Sequence, residues 1–207
     1  MLRILGRRSS INVRKVLWAC DEIGLAYTQE DWGSGTRATS DPEFQALNPK
    51  GLVPAVVDDG AVLTESNAIV RYLAAKHGRT DLLPAEPLAR LRVEEMMDWQ
   101  ATDLNWSWRI AFHAIARKNP GIGTPEQVRA SLAGWTTLMT VLERRLAAGG
   151  PYACGDVFTA ADIAIGLAVN RWFQMPMERP DLPAALAYWQ RLMQRPAGKP
   201  HLGGTTD

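Results

Sequence analysis

This 207-residue chain predicts an α/β unit followed by an all-helical unit. Three observations carry that prediction. Short β-rich runs and amphipathic helical stretches alternate as βαβ and then ββα over residues 1–79. Two prolines in RTDLLPAEPLA interrupt the pattern and mark a linker at residues 80–87. From residue 88 to 207 apolar residues recur at helical spacing and no convincing strand appears, as expected of a helical bundle.

Each element follows from local pattern. LRIL, residues 2–5, is a short apolar strand, and RSSINVRKVLWACDEIGL continues as a loop and an amphipathic helix ending at Gly24, a residue type favoured just past a helix. A second strand is predicted around Ala26–Trp32, and the Gly- and Ser-containing stretch behind it reads as a surface loop leading to Pro42. LVPAVVDDGAVL holds two β-rich runs split by Asp58-Asp59-Gly60, a strong hairpin signal, and Pro54, which has no amide proton for a ladder, marks an edge position. Glu65-Ser66 opens the helix SNAIVRYLAAKHG, with Ala68, Ile69 and Leu73 on one face.

In the second unit Val128, Leu132, Trp135, Leu138, Leu142 and Leu146 share one helical face, and Leu182, Leu186, Trp189 and Leu192 another. IAIGLAV is apolar all round, as suits the central helix of a bundle, and Thr159 and Asp162 just before it have capping-box spacing. The terminal HLGGTTD lacks a packing signal and reads as a loose tail.

Composition narrows the function. Lys+Arg at 23 against Asp+Glu at 22 leaves no cationic excess for neutralising phosphates, so no nucleic acid is expected as a partner. No apolar run reaches the roughly 18 residues that a membrane helix needs, and the N-terminus lacks a secretory apolar core. A soluble cytoplasmic protein is expected. Cys20 and Cys154 form no CxxC and have no partners at metal-ligand spacing, so neither a disulfide framework nor a metal site is predicted. Cys20 shares a helical face with Val13, Val16 and Leu17, which marks it as a small buried hydrophobe rather than a nucleophile.

The element order and four motifs, GRRSSINVRKV, NPKGLVPAVV, TESNAIVRYL and FTAADIAIGL, together resemble the cytosolic glutathione S-transferase family over almost the whole chain. The resemblance implies a thioredoxin-like first domain that binds glutathione, a helical second domain that forms a hydrophobic-substrate site, and a homodimer. It implies a cis Val53-Pro54 bond, with the Val53 backbone pairing with glutathione's cysteinyl unit as a short added strand. Glu65 and Ser66 match the acidic-Ser pair for the γ-glutamyl end. First-turn amides and the Ser66 hydroxyl suit the carboxylate, and Glu65 suits the ammonium.

The loop GRRSSINVRKV resembles that of the Ser-type classes such as theta. It implies Ser10 as hydrogen-bond donor to the glutathione thiolate, assisted by Asn12, with Ser9 as the rival donor. A hydroxyl donor favours the anion of a thiol whose free pKa is about 8.5. No Ser/His/Asp arrangement surrounds Ser10, so it is not a covalent nucleophile.

The chain departs from the theta pattern at Leu52, where a Lys often stands, and this leaves Lys50 and Arg37 as candidates for the glycyl carboxylate. Trp99, Trp106 and Trp108, with Arg109, Phe112 and His113, fall on the first long helix of the second domain. Of these, Trp106, Arg109 and His113 are assigned to the site of a small hydrophobic electrophile. FTAADIAIGL matches the family's buried N-capping motif, with a role in folding.

The predicted activity is transfer of glutathione sulfur to an electrophilic carbon, with glutathione as co-substrate and no metal or prosthetic group. Glutathione-dependent reduction of disulfides or peroxides is the enzymatic alternative, and a non-catalytic ligand-binding module on the same fold is the other.

Overall fold

Period-two alternation sorts the apolar residues of the first strand onto two faces of a sheet. The computed structural model describes residues 1–202. Its first unit runs β1 (Leu2–Leu5), α1 (Ile11–Ile23), β2 (Tyr27–Glu30), α2 (Pro42–Leu47), β3 (Ala55–Asp58), β4 (Ala61–Thr64) and α3 (Ser66–Lys76). Leu2 and Ile4 pack with Val13, Val16, Leu17 and Cys20 of α1 and with Ile69 and Leu73 of α3. Leu5 faces the other way, with Trp32, Phe44 and Ala55. Cys20 is fully buried, and burial pushes its thiol up to about 12, as expected of a packing residue.

Strand order is β2-β1-β3-β4. The helical crossover makes β2 parallel to β1, with Leu2 opposite Tyr27, while β3 runs antiparallel to both β1 and β4. Asp59 and Gly60 form the hairpin turn with φ of 49° and 84°, the two positive values a tight two-residue hairpin needs.

Two local expectations change, and one helix is added to those predicted. β3 is an interior strand, so Pro54 does not mark an edge; it stands one residue ahead of the first ladder position, Ala55, where its missing N–H leaves no gap. β2 ends at Glu30 rather than Trp32, because Trp32 is drawn into the core against Phe44 at 5.3 Å. The surface loop leading to Pro42 runs directly into helix α2, in which Asp41 accepts the Glu43 amide at 2.9 Å and Pro42 sits in the first turn.

The linker region is anchored by Leu82 and Leu83, both buried, and the Leu82 carbonyl accepts the Ala160 amide at 2.9 Å. Beyond it lies α4 (Pro87–Trp99), followed by a π-helical segment (Gln100–Leu104), the single turns α5 (Asn105–Ser107) and α6 (Arg109–Ala111), and a second π-helical segment (Phe112–Ala116). The expected long helix is therefore broken after Trp99. The chain continues through α7 (Pro125–Gly149), α8 (Ala160–Gln174), α9 (Pro183–Met193) and α10 (Lys199–Leu202).

α8 is the central helix, buried from Ala160 to Trp172. Asp162 at its start accepts the Ala153 and Thr159 amides, each at 2.8 Å, with the Tyr188 hydroxyl at 3.0 Å and that of Thr159 at 3.2 Å. The loose-tail expectation fails at its first two residues. His201 and Leu202 are helical and buried, with His201 2.6 Å from Asp21 of α1; residues 203–207 lie outside the described residues. One apolar core joins the units, with Ile11, Trp18, Ala19, Val70 and Ala74 packed among residues of the helical domain. Among the described residues no helix is long and apolar enough to cross a membrane.

Candidate active site

The chain leaves β1 through Gly6, where only glycine fits. Its φ is 149°, and a Cβ there would lie 2.5 Å from Val13 Cγ2 and 3.0 Å from Val53 Cβ. The loop of residues 6–10 is thus pressed between α1 and the segment carrying Val53. A turn closed by the Ser10 amide on the Arg7 carbonyl at 3.1 Å places Ser9 in its bend and Ser10 at the N-cap of α1. Ser10 is half-buried. Its carbonyl accepts the Arg14 amide, but its side chain makes no capping hydrogen bond, so its hydroxyl is not committed to the helix. A serine at an N-cap usually spends its oxygen on the first turn.

Two other elements converge on this loop. The Val53-Pro54 peptide is cis, and Val53 precedes the first ladder residue of β3. The Asn48 amide group donates to the Leu52 carbonyl at 2.7 Å and fixes the approach to that peptide. At the start of α3, buried Ser66 lies with its Oγ 3.4 Å from Asn12 Oδ1, which ties the first turn of α3 to the first turn of α1. Amides of a first helical turn have no partner within the helix and face an incoming anion.

Glu65, the N-cap of α3, has φ of 67°, a conformation uncommon for a side-chain-bearing residue and concentrated at functional sites. Its exposed carboxylate pairs with Lys50 Nζ at 2.8 Å. The two candidates for opposite ends of glutathione therefore hold each other. Arg37 is engaged as well, with Glu43 at 2.6 Å and the face of Trp32 at 3.7 Å.

Trp106, Arg109 and His113 come together. They line an open cavity of about 410 Å³ with Ile110, Asn119 and Ile122. Trp106 is 64% exposed and its ring lies 4.8 Å beneath the Arg109 guanidinium. His113 Nδ1 sits 3.3 Å from the Asn119 amide nitrogen. Burial, then the charges of Arg117, Arg109 and Arg171, hold this imidazole below its ordinary pKa, so it is neutral near pH 7. Trp108 and Phe112 are buried in the core instead, with Arg171 over both rings. Trp99 packs against the core and borders a separate groove with Met96 and Leu142.

Sequence reasoning missed Gly6 and Asn48. Gly6 follows a strand and precedes a helix, which is a signal for close backbone approach, whereas Asn48 carries no signal beyond Asn-Pro.

A four-stranded α/β sheet, with a serine hydroxyl outside any capping hydrogen bond and a helix N-terminus close by, is thus joined to a helical bundle that carries an open cavity. Comparison with known proteins supplies the family. The pattern of the glutathione S-transferase N-terminal domain matches residues 5–81 and that of the C-terminal domain residues 107–196.

Glutathione S-transferase GstB of Escherichia coli (strain K12) is 35% identical over 199 residues, covering 95% of this chain and 95% of its own. A crystal structure of the theta class glutathione S-transferase from Xanthomonas axonopodis pv. citri with glutathione bound superimposes with a TM-score of 0.93 at 37% identity, covering 100% of this chain and 99% of that one. Maleylacetoacetate isomerase of Rhizobium meliloti (strain 1021) is 34% identical over 165 residues, covering 76% of this chain and 75% of its own. The chain belongs to the glutathione S-transferase family.

Proposed function

We propose that this transferase binds glutathione across the loop of α1, the Val53 peptide and the first turn of α3, and joins its sulfur to an electrophilic carbon held in the Trp106 cavity. The observation that best supports the reading is the 3.4 Å approach of Ser66 to Asn12, two residues from Ser10, whose side chain makes no capping hydrogen bond. The γ-glutamyl carboxylate takes the Ser66 hydroxyl and the first-turn amides of α3, and its ammonium takes Glu65. The cysteinyl backbone pairs with Val53, which stands outside the β3 ladder. Lys50 is released from Glu65 to the glycyl carboxylate once the substrate ammonium satisfies Glu65.

Ser10 then donates to the sulfur and favours the thiolate, with Asn12 assisting. A thiolate lone pair forms the new C–S bond while the leaving group departs with its bonding electrons. Trp106, Ile110 and Ile122 provide apolar lining for the electrophile, while Arg109 and neutral His113 supply polar contacts at its rim. The functional unit in this reading is a cytoplasmic homodimer that uses no metal or prosthetic group. Turnover of glutathione with an aryl halide, an organic hydroperoxide and a mixed disulfide tests the reaction class. Faster turnover of the aryl halide is expected. Faster turnover of either oxidant assigns reduction instead, and absence of both glutathione binding and turnover assigns a non-catalytic module.

A further inference from the structure

Lys15 is a buried cation that the mechanism above leaves unused. It sits one turn into α1 with only 3% of its surface exposed. Its Nζ donates to Asn67 Oδ1 at 3.0 Å and to Gln100 Oε1 at 2.6 Å. Asn67, the residue after Ser66, donates in turn to the Met97 carbonyl of α4 at 2.7 Å. Gln100 is 1% exposed and begins the π-helical segment that leads to the Trp106 cavity. A single ammonium therefore joins three elements: the helix that follows the Ser10 loop, the first turn of α3, and the broken helix of the second domain.

We propose that Lys15 is a positioning residue for the glutathione half of the site: clamped between Asn67 and Gln100, it fixes the first turn of α3 against the helical domain and sets a positive charge behind the amides that receive the γ-glutamyl carboxylate. The proposal rests on the glutathione reading of the site. A clamp alone requires a hydrogen-bond donor for Asn67 and Gln100 but not a charge, since a neutral donor meets that need at lower desolvation cost. An ammonium behind an anion-binding helix end does act on the anion, because its field is weakly screened in the interior.

The surroundings make that charge responsive. Burial first, then the charges of Arg171 on α8 and Arg71 on α3, lower Lys15 from 10.5 to about 7, against the opposing pull of Glu65. Arg14, next to it on α1, is also buried. An incoming carboxylate favours the ammonium form, so binding takes up protons near neutrality and weakens as pH rises through about 7. If the bound state raises Lys15 by about one pH unit, affinity falls roughly fivefold between pH 6 and 8.

S-methylglutathione isolates this effect, because its blocked thiol cannot ionise. Calorimetry from pH 6 to 8 is expected to show the fivefold weakening in the wild type. In Lys15→Met the affinity at pH 6 should be at least fivefold lower and the pH dependence lost. A flat wild-type profile, or parallel slopes in the two proteins, overturns the proposal and leaves Lys15 as a structural clamp. Should Lys15→Met fail to fold, titration of the wild type at pH 7.5 in two buffers of different ionisation enthalpy decides: net proton uptake supports the proposal and its absence overturns it. A wild type that does not bind S-methylglutathione at any pH overturns the glutathione reading itself, which is a separate outcome from binding without proton coupling.

Discussion

Glu65 holds an unfavourable backbone angle and an exposed ion pair at once, a combination that stability alone does not reward. The glutathione reading explains both, since the strained N-cap presents the carboxylate beside the first turn of α3. Glu65→Ala and Ser66→Ala are each expected to raise the Kd for glutathione about tenfold or more, because hydrogen bonds to charged groups contribute roughly 1.5–3 kcal/mol. Wild-type affinity by calorimetry in both folded variants would remove these residues from the site. At this scale Ser10, Asn12, Val53, Glu65 and Ser66 stood out as candidates in the sequence because each lies in a short motif that resembles the family's. The sequence did not show that Lys50 holds Glu65, nor that Lys15 meets Asn67 and Gln100. Those partners lie 15, 52 and 85 positions away and meet only through tertiary packing.

Among the elements, α8 shows how a capping residue becomes a folding determinant. Asp162 has no exposed surface, yet four hydrogen bonds converge on it from Ala153, Thr159 and Tyr188. Burial outweighs them and raises its carboxyl from 3.8 to about 6. With the folded pKa above the unfolded one, the protonation-linked part of this group's contribution is fully present below the unfolded pKa and is lost as pH rises through about 6, whereas the hydrogen bonds it accepts persist in the carboxylate form.

Asp162→Ala is therefore expected to lower stability at pH 7 by roughly 1–2 kcal/mol or more and to flatten the profile between pH 4 and 6.5, read by urea denaturation. Unchanged midpoints at pH 7, or parallel pH profiles, contradict that account. The central helix was legible from IAIGLAV because a helix buried on every side must be apolar all round. The breaks after Trp99 were not, since Trp108 turns into the core and Trp106 turns out of it for reasons set by Arg171 and α7, far along the chain.

For the whole molecule, the shared core predicts that the two domains unfold together. Trp18 of α1 is fully buried and packs near Phe158 and His201, and Glu22 accepts two hydrogen bonds from Arg195, at 2.9 and 2.8 Å. One unfolding transition is expected by both tryptophan fluorescence and circular dichroism, and Glu22→Ala should lower its midpoint by the equivalent of roughly 1–3 kcal/mol while keeping it single. Two separated transitions in the wild type would contradict the shared core.

The proposed function requires a glutathione thiolate beside the loop that follows β1, and Ser10 is the residue on which that proposal turns. Ultraviolet titration of bound glutathione in wild type, Ser10→Ala and Ser9→Ala tests it directly. Loss of the Ser10 hydroxyl is predicted to raise the bound thiol pKa by about one unit or more, with roughly tenfold slower turnover near neutrality per unit, while Ser9→Ala does much less. Identical titrations in wild type and Ser10→Ala would contradict the account.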